Sequence, residues 1–132
     1  LMMANNDRFE VARSQYNRAL DRLQEVVALD ETDIIRDSLI QRFEFTYELA
    51  WKSMFYWMRD QGEKVPEMQK PIIQAAFRCE LIVSPEIWEE MKDQRDETSH
   101  TYNEAKAVSV SAFVRSVAMR EFEELRAKLN GL

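Results

Sequence analysis

Two glycines, Gly62 and Gly131, are all that 132 residues offer for positive-φ turns, and only three prolines accompany them. Short β-hairpins reverse on Gly or Asn-Gly pairs, so a many-stranded sheet would lack its turn residues. Long helices with few connections need far fewer such positions, and the apolar side chains recur at the matching interval. Phe9, Ala12, Tyr16, Ala19, Leu20, Leu23, Val26 and Val27 mark one helical face, with Asp7 expected as its N-cap. Asp30-Glu-Thr-Asp33 interrupts the pattern. It resumes through Ile35, Leu39, Phe43, Tyr47, Ala50, Trp51, Met54, Trp57 and Met58, and stops at Gly62, suited to a left-handed C′ position. Each helix should have about 24–28 residues and a length of about 36–42 Å.

A shorter helix is expected to start at Pro71 and to bury Ile72, Ala75, Ala76 and Cys79. A fourth should open with Ser84 as N-cap, Pro85 at the first position and Glu86 in the first turn, and should bury Trp88 and Met91. The last pattern runs from Asn103 to Leu129 through Ala107, Val110, Phe113, Val114, Val117, Phe122 and Leu125. No repeat or linker divides the chain. The expected fold is all-α, an antiparallel four-helix-type bundle with a short additional helix, as a single domain over 1–132 with its core at about 8–129.

Charge and cysteine usage narrow the function. The net charge is −6, and between Glu86 and Glu104 seven carboxylates face only Lys92 and Arg95. A backbone-gripping nucleic-acid binder usually carries a basic patch, so this balance argues against strong, sequence-independent nucleic-acid binding by one copy. Cys79 has no partner for an intramolecular disulfide, which fits a reducing, cytoplasmic setting. The first residues lack the basic and apolar regions of a signal peptide, and no apolar run could span a bilayer.

The polar segment from Arg95 to Tyr102 stands between two amphipathic patterns and contains His100, the sole histidine. On a continuous helix Asp96, His100 and Glu104 would share one stripe, and Arg95, Ser99 and Tyr102 another. Arg95 and His100 would then stand about 140° apart and could not converge on one atom. Either the helix breaks near Thr98-Ser99 or a second copy completes the pair. A histidine can move protons near neutrality, with Asp96 orienting its ring, and arginine supplies a planar fork for phosphate. The bland reading is a polar network at a helix end. One histidine with two carboxylates is too little for a metal site, so no metal is expected, and no cofactor follows from the chain. Arg42, Glu44, Glu48 and Lys52 read as an ion network, since Glu44/Glu48 and Glu48/Lys52 are one turn apart.

The run Arg42-Phe-Glu-Phe-Thr-Tyr-Glu-Leu-Ala-Trp-Lys52, then Trp88 and Met91, then Arg95-Asp-Glu-Thr-Ser-His-Thr-Tyr-Asn-Glu104, resembles the nucleotidyltransferase substrate-binding proteins. These are small bundles of the HEPN superfamily, similar to the C-terminal helical domain of kanamycin nucleotidyltransferase. The likeness extends from about Arg8 to Leu129. It implies a separate small nucleotidyltransferase chain as partner, because this chain lacks the Gly-Ser motif and paired aspartates of that catalysis. It also implies a homodimer, possession of a nucleotide- or substrate-binding surface, and a place in a toxin–antitoxin pair. Glu44, Glu48, Lys52, Asp96, Ser99 and Tyr102 become binding or modification candidates. A related branch consists of metal-independent toxin ribonucleases with an arginine, four residues, a histidine, one residue and a tyrosine. Arg95, His100 and Tyr102 match that spacing. There the arginine and histidine cut RNA at a dimer interface, and adenylylation of the tyrosine silences the toxin.

Overall fold

The structure, a computed structural model, describes residues 5–98 and 103–132. Among them there is no strand. Helix α1 spans Asn5–Val27 and α2 Asp33–Asp60; α3 is Gln69–Arg78, α4 Pro85–Thr98, α5 Glu104–Phe113 and α6 Met119–Asn130. Between α5 and α6, Val114–Ala118 forms one π-helical turn, flanked by helical backbone on both sides, so the last three segments make one continuous rod. The all-α bundle with one short extra helix, α3, is as the sequence predicted.

Local chemistry explains most ends. The Thr32 hydroxyl accepts from the Ile35 amide at 3.1 Å and caps α2. Gly62 has φ +86°, and its N–H reaches back to the Arg59 carbonyl at 3.0 Å. The Ser84 carbonyl accepts from Ile87 and Trp88 to start α4. The Asn103 side chain accepts from the Lys106 amide at 3.1 Å to start α5. Two predicted boundaries were wrong. α1 begins before Asp7, which lies in its first turn. α3 begins at Gln69, with Pro71 third in the helix; a first-turn N–H has no intrahelical acceptor, so proline costs nothing there.

The π turn has a packing reason. Val114, Ala118 and Phe122 are all buried, at two successive spacings of four. Eight residues over-rotate an α-helix by about 80° relative to two turns. A wider turn absorbs that excess and keeps the three side chains facing the core.

The core is continuous and centred on aromatic rings. Phe122 meets Trp88, Phe43 and Tyr16 at centroid distances of 5.8, 6.1 and 6.4 Å, and Trp88 also meets Tyr47 at 6.4 Å. Four helices thus meet at one layer. The Tyr16 hydroxyl in this layer donates to the Phe122 carbonyl at 2.6 Å, and the Trp88 indole acts on the Glu121 carboxyl, opposing the rise that burial causes. α1 packs antiparallel on α2 on one side and on α6 on the other, where Asn17 meets Asn130 and Gln24 meets Glu123. No described helix is long and apolar enough to cross a membrane.

Candidate functional site

α4 ends at Thr98, whose hydroxyl donates to the Arg95 carbonyl at 2.8 Å, and α5 opens at Glu104. Asn103 has extended backbone (φ −146°, ψ 115°), so α4 does not run unbroken into α5; the expected geometry between Arg95 and His100 falls on residues outside those described. Ser99, His100 and Tyr102 lie outside the described residues. Glu97 and Lys106 pair at 2.8 Å across the interval and draw the two helix ends together.

Arg95 stands in the last turn of α4, where a cation complements the helix dipole. Its Nη1 lies 3.5 Å from the Asp96 Oδ1 and its Nη2 3.8 Å from the Glu48 Oε2 on α2. Glu48 also accepts from the Trp51 indole N–H at 3.1 Å and faces Lys52 at 3.7 Å. Of the ion network expected on α2, Glu48 and Lys52 pair with each other and Glu48 reaches across to Arg95, while among the described residues Glu44 feels only the charge of Arg95. Arg42 is elsewhere: it donates to the Arg22 carbonyl at 2.6 Å and stands 3.6 Å from Glu25. Partly exposed pairs this loose are worth about 0–1 kcal/mol, so they orient rather than stabilise. A guanidinium has five N–H donors, and among the described residues only Nη1 reaches an acceptor within hydrogen-bonding distance. Arg95 can therefore take an anion without unmaking the bundle.

The carboxylates here differ. Partial burial opposes ionisation of Asp96, but the Lys92 ammonium at 2.9 Å and Arg95 outweigh it and hold its carboxyl below the usual range. Burial pushes the Glu44 carboxyl up, against the pull of Arg95. Burial also pushes up the Tyr47 hydroxyl, which donates to Gln69 Oε1 at 2.9 Å and is a core group rather than a reactive one. Among the described residues no three potential metal ligands converge.

Beside this network is a cleft of about 150 Å3 between α2, the end of α4 and the start of α5. Ile40 and Ala107 give it an apolar side; Asp37, Gln41, Glu44, Asn103 and Lys106 give it polar ones. Sequence reasoning reached only Glu44 of these. The others belong to three segments far apart in the chain, and the one local signal was the Asn103 cap ahead of Glu104.

Fold and site define a small helical bundle with a small charged cleft where three helices meet. The chain belongs to the family described as nucleotidyltransferase substrate binding protein like, whose model matches residues 12–131. A Haemophilus influenzae (strain Rd) protein named probable ribonuclease HepT is 34% identical over 90 residues, a match covering 62% of this chain and 62% of that relative. A Haemophilus influenzae structure, HI0074, is described as revealing the fold of a nucleotidyltransferase's substrate-binding domain. It superposes with TM-score 0.66 at 26% identity, over 96% of this chain and 99% of that one. A Shewanella oneidensis HEPN toxin, described as tri-AMPylated and in complex with the MNT antitoxin, shares the fold. Its TM-score is 0.78 at 17% identity, over 96% and 98% of the two chains.

Proposed function

We propose that this chain is the substrate- or nucleotide-binding helical partner of a separate small nucleotidyltransferase, in a pair of the toxin–antitoxin kind, acting in the cytoplasm as a homodimer. The cleft between α2, α4 and α5 carries this reading, with Arg95 close enough to act on the charge of its lining residue Glu44. At about 150 Å3 it is smaller than the roughly 300–1,000 Å3 of whole small-molecule sites. It would hold a base or a phosphate, with the partner chain enclosing the rest. Arg95 would meet phosphate charge, while Glu44, Glu48 and Lys52 hold Arg95 in place and Asp96 and Ser99 contribute polar contacts. Family membership supports the partnership, and the two-chain complex of the Shewanella relative supports its form. Co-expression with a nucleotidyltransferase encoded beside this chain should yield a complex that survives size-exclusion chromatography. Two separate peaks at micromolar concentration would defeat the reading.

A second reading has its own support. Arg95, His100 and Tyr102 stand at the spacing of the ribonuclease branch, and the Haemophilus relative is named as a probable ribonuclease. On this reading His100 is the proton-transfer group, Arg95 stabilises phosphate charge, and Tyr102 accepts the silencing nucleotide. Purified protein should then cleave RNA with chelator present, and His100→Ala should abolish cleavage. Intact RNA after prolonged incubation with the wild-type chain would reject it. Incubation with the partner and ATP, followed by mass analysis of the Tyr102 peptide, tests the silencing step separately.

A further inference from the structure

The net charge of −6 averages two unlike faces. The acidic residues of α4 lie on one side. On α1, Arg8, Val11, Gln15, Arg18 and Arg22 fall within an arc of about 80° around the axis, turned towards α2 and solvent. Arg42, Phe45, Leu49, Lys52 and Tyr56 make the matching stripe on α2. Arg42 has Glu25 and Lys52 has Glu48 as partners, but among the described residues Arg8, Arg18 and Arg22 have no carboxylate within ion-pairing distance. The arginines run about 21 Å along the helix. Between the two stripes is a depression of about 290 Å3, floored by Val11, Leu49 and Tyr56 and edged by Arg8 and Lys52. Phe45, nearby on the same stripe, is 58% exposed.

We propose that this α1–α2 face binds single-stranded RNA, with the arginines following the phosphates and Phe45 and Tyr56 offering surfaces for unpaired bases. Cations in line with exposed aromatic rings are what a flexible polyanion with stackable bases requires. A second copy of the same face would set arginine against arginine across a twofold axis, which argues against a self-paired interface. The acidic side of α4 does not cancel the attraction. α4 packs on α2, α3 and α5, so a helix about 10 Å thick separates it from α1. The choice of RNA over DNA rests on the ribonuclease reading; the binding itself does not.

The test uses the full chain carrying His100→Ala, so that a labelled single-stranded RNA of about twelve nucleotides survives, with fluorescence anisotropy as the readout. Arg18→Glu/Arg22→Glu should weaken binding at least tenfold at low salt. It should also lower the slope of log affinity against log salt by about 1.4, at about 0.7 for each phosphate no longer neutralised. Phe45→Ala should cost about fivefold or more, whereas Glu90→Lys on α4 should not weaken binding. Equal binding by chains with and without the double arginine substitution would overturn the proposal, as would failure of the unsubstituted face to bind at low salt. Binding of DNA of the same sequence but not of RNA would overturn the assignment to RNA. Absence of cleavage by the wild-type chain, with binding retained, would reject the ribonuclease reading alone.

Discussion

The aromatic layer in the middle of the bundle and the charged cluster where α4 ends use side chains of comparable bulk, yet they are held by opposite means. Around Phe122, four rings from four helices meet with almost no exposed surface, and the Tyr16 hydroxyl among them is hydrogen-bonded. Around Arg95, the ion pairs are 3.5–3.8 Å long and a third of each side chain remains in solvent. Burial at about 25 cal/mol per Å2 makes the first region the source of stability. Screening and side-chain entropy leave the second with almost none to give. One region specifies the fold; the other is left adaptable for a ligand.

The most severe test of this contrast is Trp88→Ala. It removes the largest fully buried side chain. The expected loss is about 3–5 kcal/mol, read as a shift of the urea midpoint. A loss under about 1 kcal/mol would mean that the layer is not the centre of the fold. Next comes Thr32→Ala, which leaves the first turn of α2 without its side-chain cap. About 1 kcal/mol should be lost by the same measurement. No change would show that tertiary packing alone sets that end.

Two carboxylates carry the contrast into pH dependence. Burial raises the Glu121 carboxyl above its ordinary value, with Glu124 adding to the rise and Trp88 opposing it. Its folded-state pKa exceeds the unfolded one, so stability is greatest below the unfolded pKa and falls as pH rises through the folded value. Glu31 is the reverse. Its hydrogen bond from Ser111 leads the lowering, with Arg36 and Arg115 assisting against partial desolvation. Stability from Glu31 is present above the unfolded pKa and is lost as pH falls through the folded one. Urea midpoints measured across the acidic range should flatten on the high-pH side in Glu121→Gln and on the low-pH side in Glu31→Gln. Unchanged profiles in both would mean that neither environment is as drawn.

The core was the readable half of this molecule. Tyr16, Phe43, Tyr47, Trp88 and Phe122 announce themselves by periodicity, because a helix repeats its face every few residues whatever it packs on. The π turn was also present, as the spacing of Val114, Ala118 and Phe122, but it takes meaning only once all three are known to face one core. Pro71 misled because a proline is tolerated throughout the first helical turn, not only at its start. The cleft was least legible. Asp37, Gln41 and Lys106 have nothing in their neighbours to distinguish them from any solvated residue, and only the meeting of three helices makes them a site. Charge counting along the chain likewise showed an acidic stretch and missed the arginine stripe, since its members are separated by turns of α1.

The smallest effect on stability should come from Glu48→Gln, and it is the one that best separates the two regions. The substitution keeps the volume and an acceptor for the Trp51 indole but removes the charge facing Arg95 and Lys52. An exposed pair of this kind contributes about 0–1 kcal/mol, so the urea midpoint should barely move. Among the described residues, the freed guanidinium is then held only from its own helix, by Asp96 at 3.5 Å. If the cluster exists to aim Arg95, anion binding at the cleft should weaken several-fold while stability stays put, as titration calorimetry with a nucleoside triphosphate would record. A drop in stability above about 2 kcal/mol, with binding intact, would exceed what such a pair supplies. That result would make Glu48 a structural residue and dissolve the division between a region that folds the chain and a region that serves a ligand.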